Sequence, residues 1–316
     1  MKYFILVTLA MMISGSAATA RDVVVAVIDT GLDTTDPIFQ THLWTNPGET
    51  GLDAQGRDKA TNGIDDDGNG FVDDVHGWDF ITGTNRVVDH HGHGTHISGI
   101  ILQGQEPRTK LQGADRLRLM ILKYYGPKNE TDPVENSRHA LRYAIENNVD
   151  IINYSGGGPL PDSVEKALLE QAERKGILVV AAAGNEGSNV KNRPYFPASY
   201  GFSNILSVAA HNPDNELLPA SNYGGNVDLA APGFQILSTV PGGMLGRMSG
   251  TSQATAFVTA AAAHIAQQFQ ARTPASFLKQ QLLQETERLS QFEGKVKSAA
   301  KLKWPLAGLA RYEAAP

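Results

Sequence analysis

Three short segments carry side chains that could act together on a polar bond. Asp29 ends the apolar run Val23 to Ile28 and is followed by Thr30-Gly31. His93 opens His93-Gly94-Thr95-His96-Ile97-Ser98-Gly99, and Ser252 lies in Ser249-Gly250-Thr251-Ser252-Gln253-Ala254. A serine hydroxyl is a weak nucleophile until a base takes its proton, and that base needs an acid to orient it. Acid, base and hydroxyl are all present, each beside small residues that leave it open to a cleft. Asn185, in Ala181-Ala182-Ala183-Gly184-Asn185-Glu186-Gly187, adds an uncharged donor next to a glycine, which suits an oxyanion hole. Taken singly the fragments are weak, since Asp-Thr-Gly also fits a turn and Ser252 an ordinary helix start. Each gains force from the presence of the others.

Two further clusters bear on metals. His90, His91, His93 and His96 could gather a zinc ion. Their spacing lacks the glutamate of a His-Glu-x-x-His helix, and His96, one turn into a helix, reads as a packed side chain. The second cluster is acidic and runs from Asn62 to Asp74. Asp65, Asp67 and Asn69 at alternate positions, followed by the Phe71 carbonyl, match the start of a calcium loop. The closing glutamate of an EF-hand falls on His76, so Asp73 or Asp74 has to complete the shell. The alternative is a solvated acidic turn. The chain has no cysteine, so no disulfide holds this region, and structural calcium is the expected cofactor.

The surrounding elements alternate. Continuous apolar runs at Val23 to Ile28 and Ile177 to Ala182 predict buried strands, and Leu117 to Tyr124, Asp150 to Tyr154, Ile205 to Ala209 and Val227 to Leu229 read as further strands. Helices are predicted from Gly94 to Gln103, Val134 to Asn147, Ser163 to Lys175, Thr251 to Gln268 and Ala275 to Gln284. That alternation predicts an α/β fold with a mostly parallel sheet flanked by helices. Functional sites of α/β folds gather at the carboxyl ends of such strands, where Asp29 lies. Residues 34 to 84 are loop-rich, and 295–316 form a weakly patterned tail.

Composition narrows the function classes. The 316 residues, 41% hydrophobic, can bury one large domain, and a formal charge of -6 offers no basic face for nucleic acid. Lys2, the apolar run Phe4 to Ile13 and Ala18-Thr19-Ala20 read as a signal peptide over residues 1–20. The apolar run is shorter than the roughly 18 residues a spanning helix needs, so no stable membrane anchor is expected. The expected product is a secreted or periplasmic monomer, residues 21–316.

The chain resembles the subtilisin-like serine proteases, the subtilases, in which the triad follows the order Asp, His, Ser. The resemblance is carried by Asp29-Thr30-Gly31, His93-Gly94-Thr95-His96, Asn153-Tyr154-Ser155, Ala183-Gly184-Asn185 and Gly250-Thr251-Ser252, with Ser221-Asn222-Tyr223-Gly224 and Ala230-Ala231-Pro232-Gly233 as further landmarks. It implies a three-layer subtilisin-like fold, a catalytic triad of Asp29, His93 and Ser252, and Asn185 as oxyanion donor. It also implies that Ser155, Gly156 and Gly157 form an edge to which an extended polypeptide substrate adds as a strand. Loops like the acidic one occur in related subtilases. The reaction implied is endopeptidase cleavage through an acyl-enzyme. The pattern departs from the family at Gln253, where Met is usual, at Ala256-Phe257, where Pro-His is usual, and at Gly156, where a leucine wall is usual. Only Arg21-Asp22 separates the leader from the first strand, so no pro-domain is evident between them. These departures leave a catalytically inactive binding module as the rival reading. A lipase-type hydrolase is disfavoured, because Ser252 is not in Gly-x-Ser-x-Gly.

Overall fold

The computed structural model describes residues 21–103, 116–126 and 131–303; the leader expected over 1–20 and the end of the tail lie outside them. The first strand, β1 (Val23–Asp29), is rich in β-branched residues and buried on both faces. Val25 and Val27 join the apolar cluster on one side of the sheet, while Ala26 and Ile28 join that on the other. Its companions are β2 (Gly77–Asp79), β3 (Leu117–Lys123), β4 (Ile151–Tyr154), β5 (Leu178–Ala182), β6 (Ile205–His211), β7 (Leu229–Pro232), β10 (Thr286–Arg288) and β11 (Ala300–Leu302). They form one sheet in the order β10-β11-β7-β6-β5-β4-β1-β3-β2. Every pairing in it is parallel except β10 with β11. A separate antiparallel hairpin joins β8 (Ile236–Val240) to β9 (Met244–Met248).

Among the described residues six α-helices accompany the strands: α1 (Pro37–Gln40), α2 (His93–Gln103), α3 (Pro133–Glu146), α4 (Ser163–Arg174), α5 (Thr251–Gln267) and α6 (Ala275–Gln284). On one face, Ile97 and Ile101 of α2, Phe257 and Val258 of α5, and Leu278 of α6 pack with Val25 and Val27. On the other, Leu141 and Ile145 of α3 and Leu169 of α4 pack with Ile28 and Ile152. The molecule is therefore the expected three-layer α/β arrangement. Fifteen of the seventeen α5 residues are buried, which explains its Ala- and Thr-rich sequence: only small side chains let a helix lie inside a packed domain on all sides.

Several strands differ from the sequence reading. The weakly patterned tail supplies β11, a three-residue strand between β10 and β7 that meets β7 through Lys301 and Ala230. The β8–β9 hairpin packs on α2 but carries exposed Met244 and Leu245, so it lacks the alternation that marks a half-buried strand. The strand predicted at 227–229 is shifted to Leu229–Pro232.

Candidate functional site

Asp29 is the last residue of β1, beside β3 on one side and β4 on the other. Its Oδ1 accepts the Thr30 amide at 2.8 Å and the His93 Nδ1–H at 2.7 Å. His93 is the first residue of α2, and the two segments meet because of two glycines. A Cβ on Gly94 would collide with the Gly31 carbonyl, and one on Gly31 (φ 107°) with the Val87 carbonyl. The first turn of α2 can thus sit against the loop after β1, within reach of the acid. Burial disfavours the imidazolium, but the charge and hydrogen bond of Asp29 outweigh it, so the His93 pKa lies above its ordinary value.

The start of α2 rests on a residue that the sequence reading missed. Asp89 is buried, and its carboxylate accepts hydrogen bonds from the Thr30 hydroxyl, the amides of His91, Gly92 and Thr95, and the Thr95 hydroxyl. Burial pushes this carboxyl up, yet the donors overcome it and hold it below the usual carboxylate range. Thr30 closes the link by accepting the Gly94 amide at 2.8 Å. An acid a few residues before a helix start was the available signal, since its oxygens can cap the first-turn amides.

Ser252 lies in the first turn of α5, which packs against α2. Its Oγ donates to the Ser155 carbonyl at 3.0 Å rather than to His93. Buried Asn153, on β4, ties the two elements together: its Nδ2 donates to Ser155 Oγ at 2.9 Å, and its Oδ1 accepts from Thr259 of α5 at 2.8 Å. Asn185 follows β5, and its Oδ1 accepts the Thr251 amide at 3.0 Å. That leaves Nδ2 as the donor, beside Gly250 at the amino end of α5. Asn222 holds the Asn185 loop, donating to the Ala183 carbonyl and accepting from the Glu186 and Ser188 amides.

The predicted substrate edge, Ser155 to Gly157, borders this crevice. Gly157 (φ 146°) has no room for a Cβ against the Phe196 carbonyl, and Gly158 pairs with Phe196. At Gly156 a Cβ would strike the Tyr124 hydroxyl, which comes from the end of another strand. Tyr124 in turn packs edge-on against Tyr154, with ring centroids 6.1 Å apart.

The four histidines do not converge. His90 and His91 are exposed, His93 binds Asp29, and buried His96 faces the Ile236 and Gly246 carbonyls of the hairpin through Nε2. Burial also lowers the His96 pKa and keeps it a neutral packed side chain, as the sequence reading expected.

In the acidic loop, oxygens of Asp65 and Asp67 come together with one from Glu49, all within 4.8 Å of one another. The other expected ligands make contacts of their own. Asn69 donates to Asp67 and Asp74, and Phe71 packs its ring on Trp78 and Tyr143. Asp73 accepts the Gly63 amide, and buried Asp74 is engaged by Asn46, Asn69 and the Tyr143 hydroxyl. Neither Asp73 nor Asp74 joins the cluster. The donors are all oxygen, which fits a hard cation such as calcium.

Comparison with known proteins agrees with this geometry. The Subtilase family model matches residues 20–300. The major intracellular serine protease of Bacillus subtilis (strain 168) is 31% identical over 272 residues, which cover 84% of this chain and 76% of that protein. An intracellular serine protease of Paenibacillus polymyxa is 34% identical over 252 residues, 78% of this chain and 67% of the relative. Among solved structures, a cold adapted subtilisin-like serine proteinase superposes with a TM-score of 0.65 at 23% identity, over 88% of each chain. The chain belongs to the subtilase family, and with it to the serine-type endopeptidases.

Proposed function

We propose that this chain is an exported endopeptidase that cleaves extended polypeptides through an acyl-enzyme on Ser252. The observation that carries the reading is the 2.7 Å bond from His93 Nδ1 to Asp29, on the helix that packs against the one bearing Ser252. With Nδ1 donating to the acid, the imidazole has Nε2 available as base. The Ser252 hydroxyl leaves the Ser155 carbonyl, gives its proton to Nε2, and its oxygen attacks the scissile carbonyl carbon. The developing oxyanion takes a hydrogen bond from Asn185 Nδ2 and the positive end of the α5 dipole. His93 then protonates the leaving amine, and water repeats the sequence to release the acid product. Freed of the hydroxyl, the Ser155 carbonyl, with the Gly156 and Gly157 backbone, offers a strand edge to the substrate. Export rests on Lys2, the apolar run and Ala18-Thr19-Ala20. Among the described residues no helix is long and apolar enough to cross a membrane. Calcium held at the Asp65–Asp67 turn would stiffen the loop and supplies no step of the reaction.

A fluorophosphonate probe tests the chemistry directly. The reading expects stoichiometric label on the intact chain, none on Ser252→Ala, and casein cleavage that follows the label. One observation favours the rival, an inactive subtilase-fold binding module: the Ser252 hydroxyl is bonded to Ser155 instead of the imidazole. A folded wild-type chain that takes no label and cuts no casein establishes that alternative.

A further inference from the structure

Glu49 is a fully buried carboxylate sixteen positions before Asp65 (65 − 49), outside the acidic loop. It ends a short 3-10 turn, Pro47–Glu49, capped by the Asn46 side chain on the Gly48 amide at 2.9 Å. Its Oε1 accepts the Asp66 amide at 2.8 Å and the Asp67 amide at 3.3 Å. Its Oε2 is buried with no hydrogen-bond partner. Among the described residues no Lys, Arg or His forms an ion pair with it; Lys59 Nζ goes to the Gly48 carbonyl instead. A buried carboxylate oxygen facing neither donor nor cation is expensive, and two more carboxylates beside it make it more so.

One oxygen from each of three carboxylates outlines part of a cation's shell. Ligands 2.3–2.6 Å from a calcium ion lie up to about 5 Å from each other, and the Glu49, Asp65 and Asp67 oxygens fall within 4.8 Å. The turn is shaped for the approach: a Cβ on Gly48 would overlap the Asp67 side chain. The acids inside the loop that might close the shell are committed elsewhere, Asp74 to Tyr143 and two asparagines, Asp73 to the Gly63 amide.

We propose that Glu49 closes the calcium site begun by Asp65 and Asp67, so that one ion ties the 46–49 turn to the acidic loop. This rests on the reading that the loop holds calcium. The ion would replace the missing partner of Oε2 and neutralise three converging carboxylates. Its role is then to fasten a segment before the loop to one inside it, which a self-contained loop site does not do.

The test is calcium titration calorimetry and thermal unfolding, in calcium and in EGTA, on the full chain carrying Ser252→Ala to prevent self-cleavage. The parent is expected to bind one calcium. Glu49→Gln should weaken binding at least tenfold and abolish most of the calcium-dependent rise in Tm, while its Tm in EGTA stays level or increases. Asp67→Asn should lose calcium as well. If Glu49→Gln binds as tightly as the parent while Asp67→Asn does not, Glu49 is no ligand and the loop reading survives. An equal loss of Tm in calcium and EGTA, with affinity kept, also overturns the proposal. A parent that binds no calcium removes the loop reading and Glu49 together. Should Glu49→Gln fail to fold, hydrogen exchange on the parent decides: calcium must protect amides 46–50 along with 65–70, and protection of the loop alone refutes the assignment.

Discussion

The catalytic crevice and the acidic loop solve the same problem, holding charged groups still, by opposite means. In the crevice, Asp29, His93 and Ser252 leave the ends of β1, α2 and α5, elements whose other side chains fill one apolar core. Their positions are fixed by packing over many residues. In the loop, regular structure is almost absent between Glu49 and Gly77, and backbone amides are satisfied by carboxylates: Gly68 and Gly70 by Asp65, Asn69 by Asp67, Asp66 by Glu49. Apolar burial needs nothing from solution. A carboxylate scaffold concentrates negative charge and needs a cation to offset it. The two regions should therefore fail under different insults.

The sharpest break is Ser252→Ala or His93→Ala, expected to lower kcat by about 10⁶ with Tm nearly unchanged, the loss known for subtilisin, a member of the same family. A residual rate near wild type would end the parallel between position and chemistry. Next, Asn185→Ala should lower kcat by about 10²–10³ with little change in KM, again on the scale known for subtilisin, measured by steady-state peptide hydrolysis. Unchanged kcat would move the oxyanion contact to the backbone alone. Removing calcium should strike the other region. An ion at one hundred times its Kd contributes about 2.7 kcal/mol, so a chelator should lower Tm by about 5 °C while kcat at low temperature is kept. A kcat that falls with the ion at low temperature would mean the regions are coupled.

The smallest effect concerns pH. Asp29 raises the His93 pKa, so an enzyme that uses this imidazole as its base is expected to be active only above a midpoint higher than an ordinary histidine's. The acid limb of kcat/KM reads this value, and Asp29→Asn should shift the limb to lower pH. The same pairing favours the protonated folded state. Its stabilisation is complete below the unfolded histidine pKa of about 6.5 and is lost as pH rises through the folded value. A limb that Asp29→Asn leaves in place would separate the pair's geometry from its charge.

Much of the crevice was legible because its residues sit at pattern breaks: an apolar run stopped by Asp29-Thr30-Gly31, a small-residue helix opening on Gly250-Thr251-Ser252. Helix and strand periods locate such ends to within a residue or two, as at α5 and α6. Asn153 and Asn222 were visible only as family landmarks, and their bracing roles were hidden for the reverse reason. Each acts through bonds to segments remote in sequence, Asn153 to Thr259 and Asn222 to Ala183, and no local period marks a side chain that serves as a brace. Tyr124 crowds Gly156 from 32 positions away (156 − 124), a contact that only proximity can reveal.

The amino-acid order alone settled the α/β layers, the family and the polar residues offered to the crevice, since burial on both faces of a parallel strand and the ends of helices are local, periodic properties. Tertiary structure decided which of those residues meet. It joined His93 to Asp29, turned Asp73 and Asp74 away from the acidic cluster, and brought Glu49 into it. Carboxylate oxygens find partners by distance and desolvation, and neither quantity exists until the chain has closed on itself.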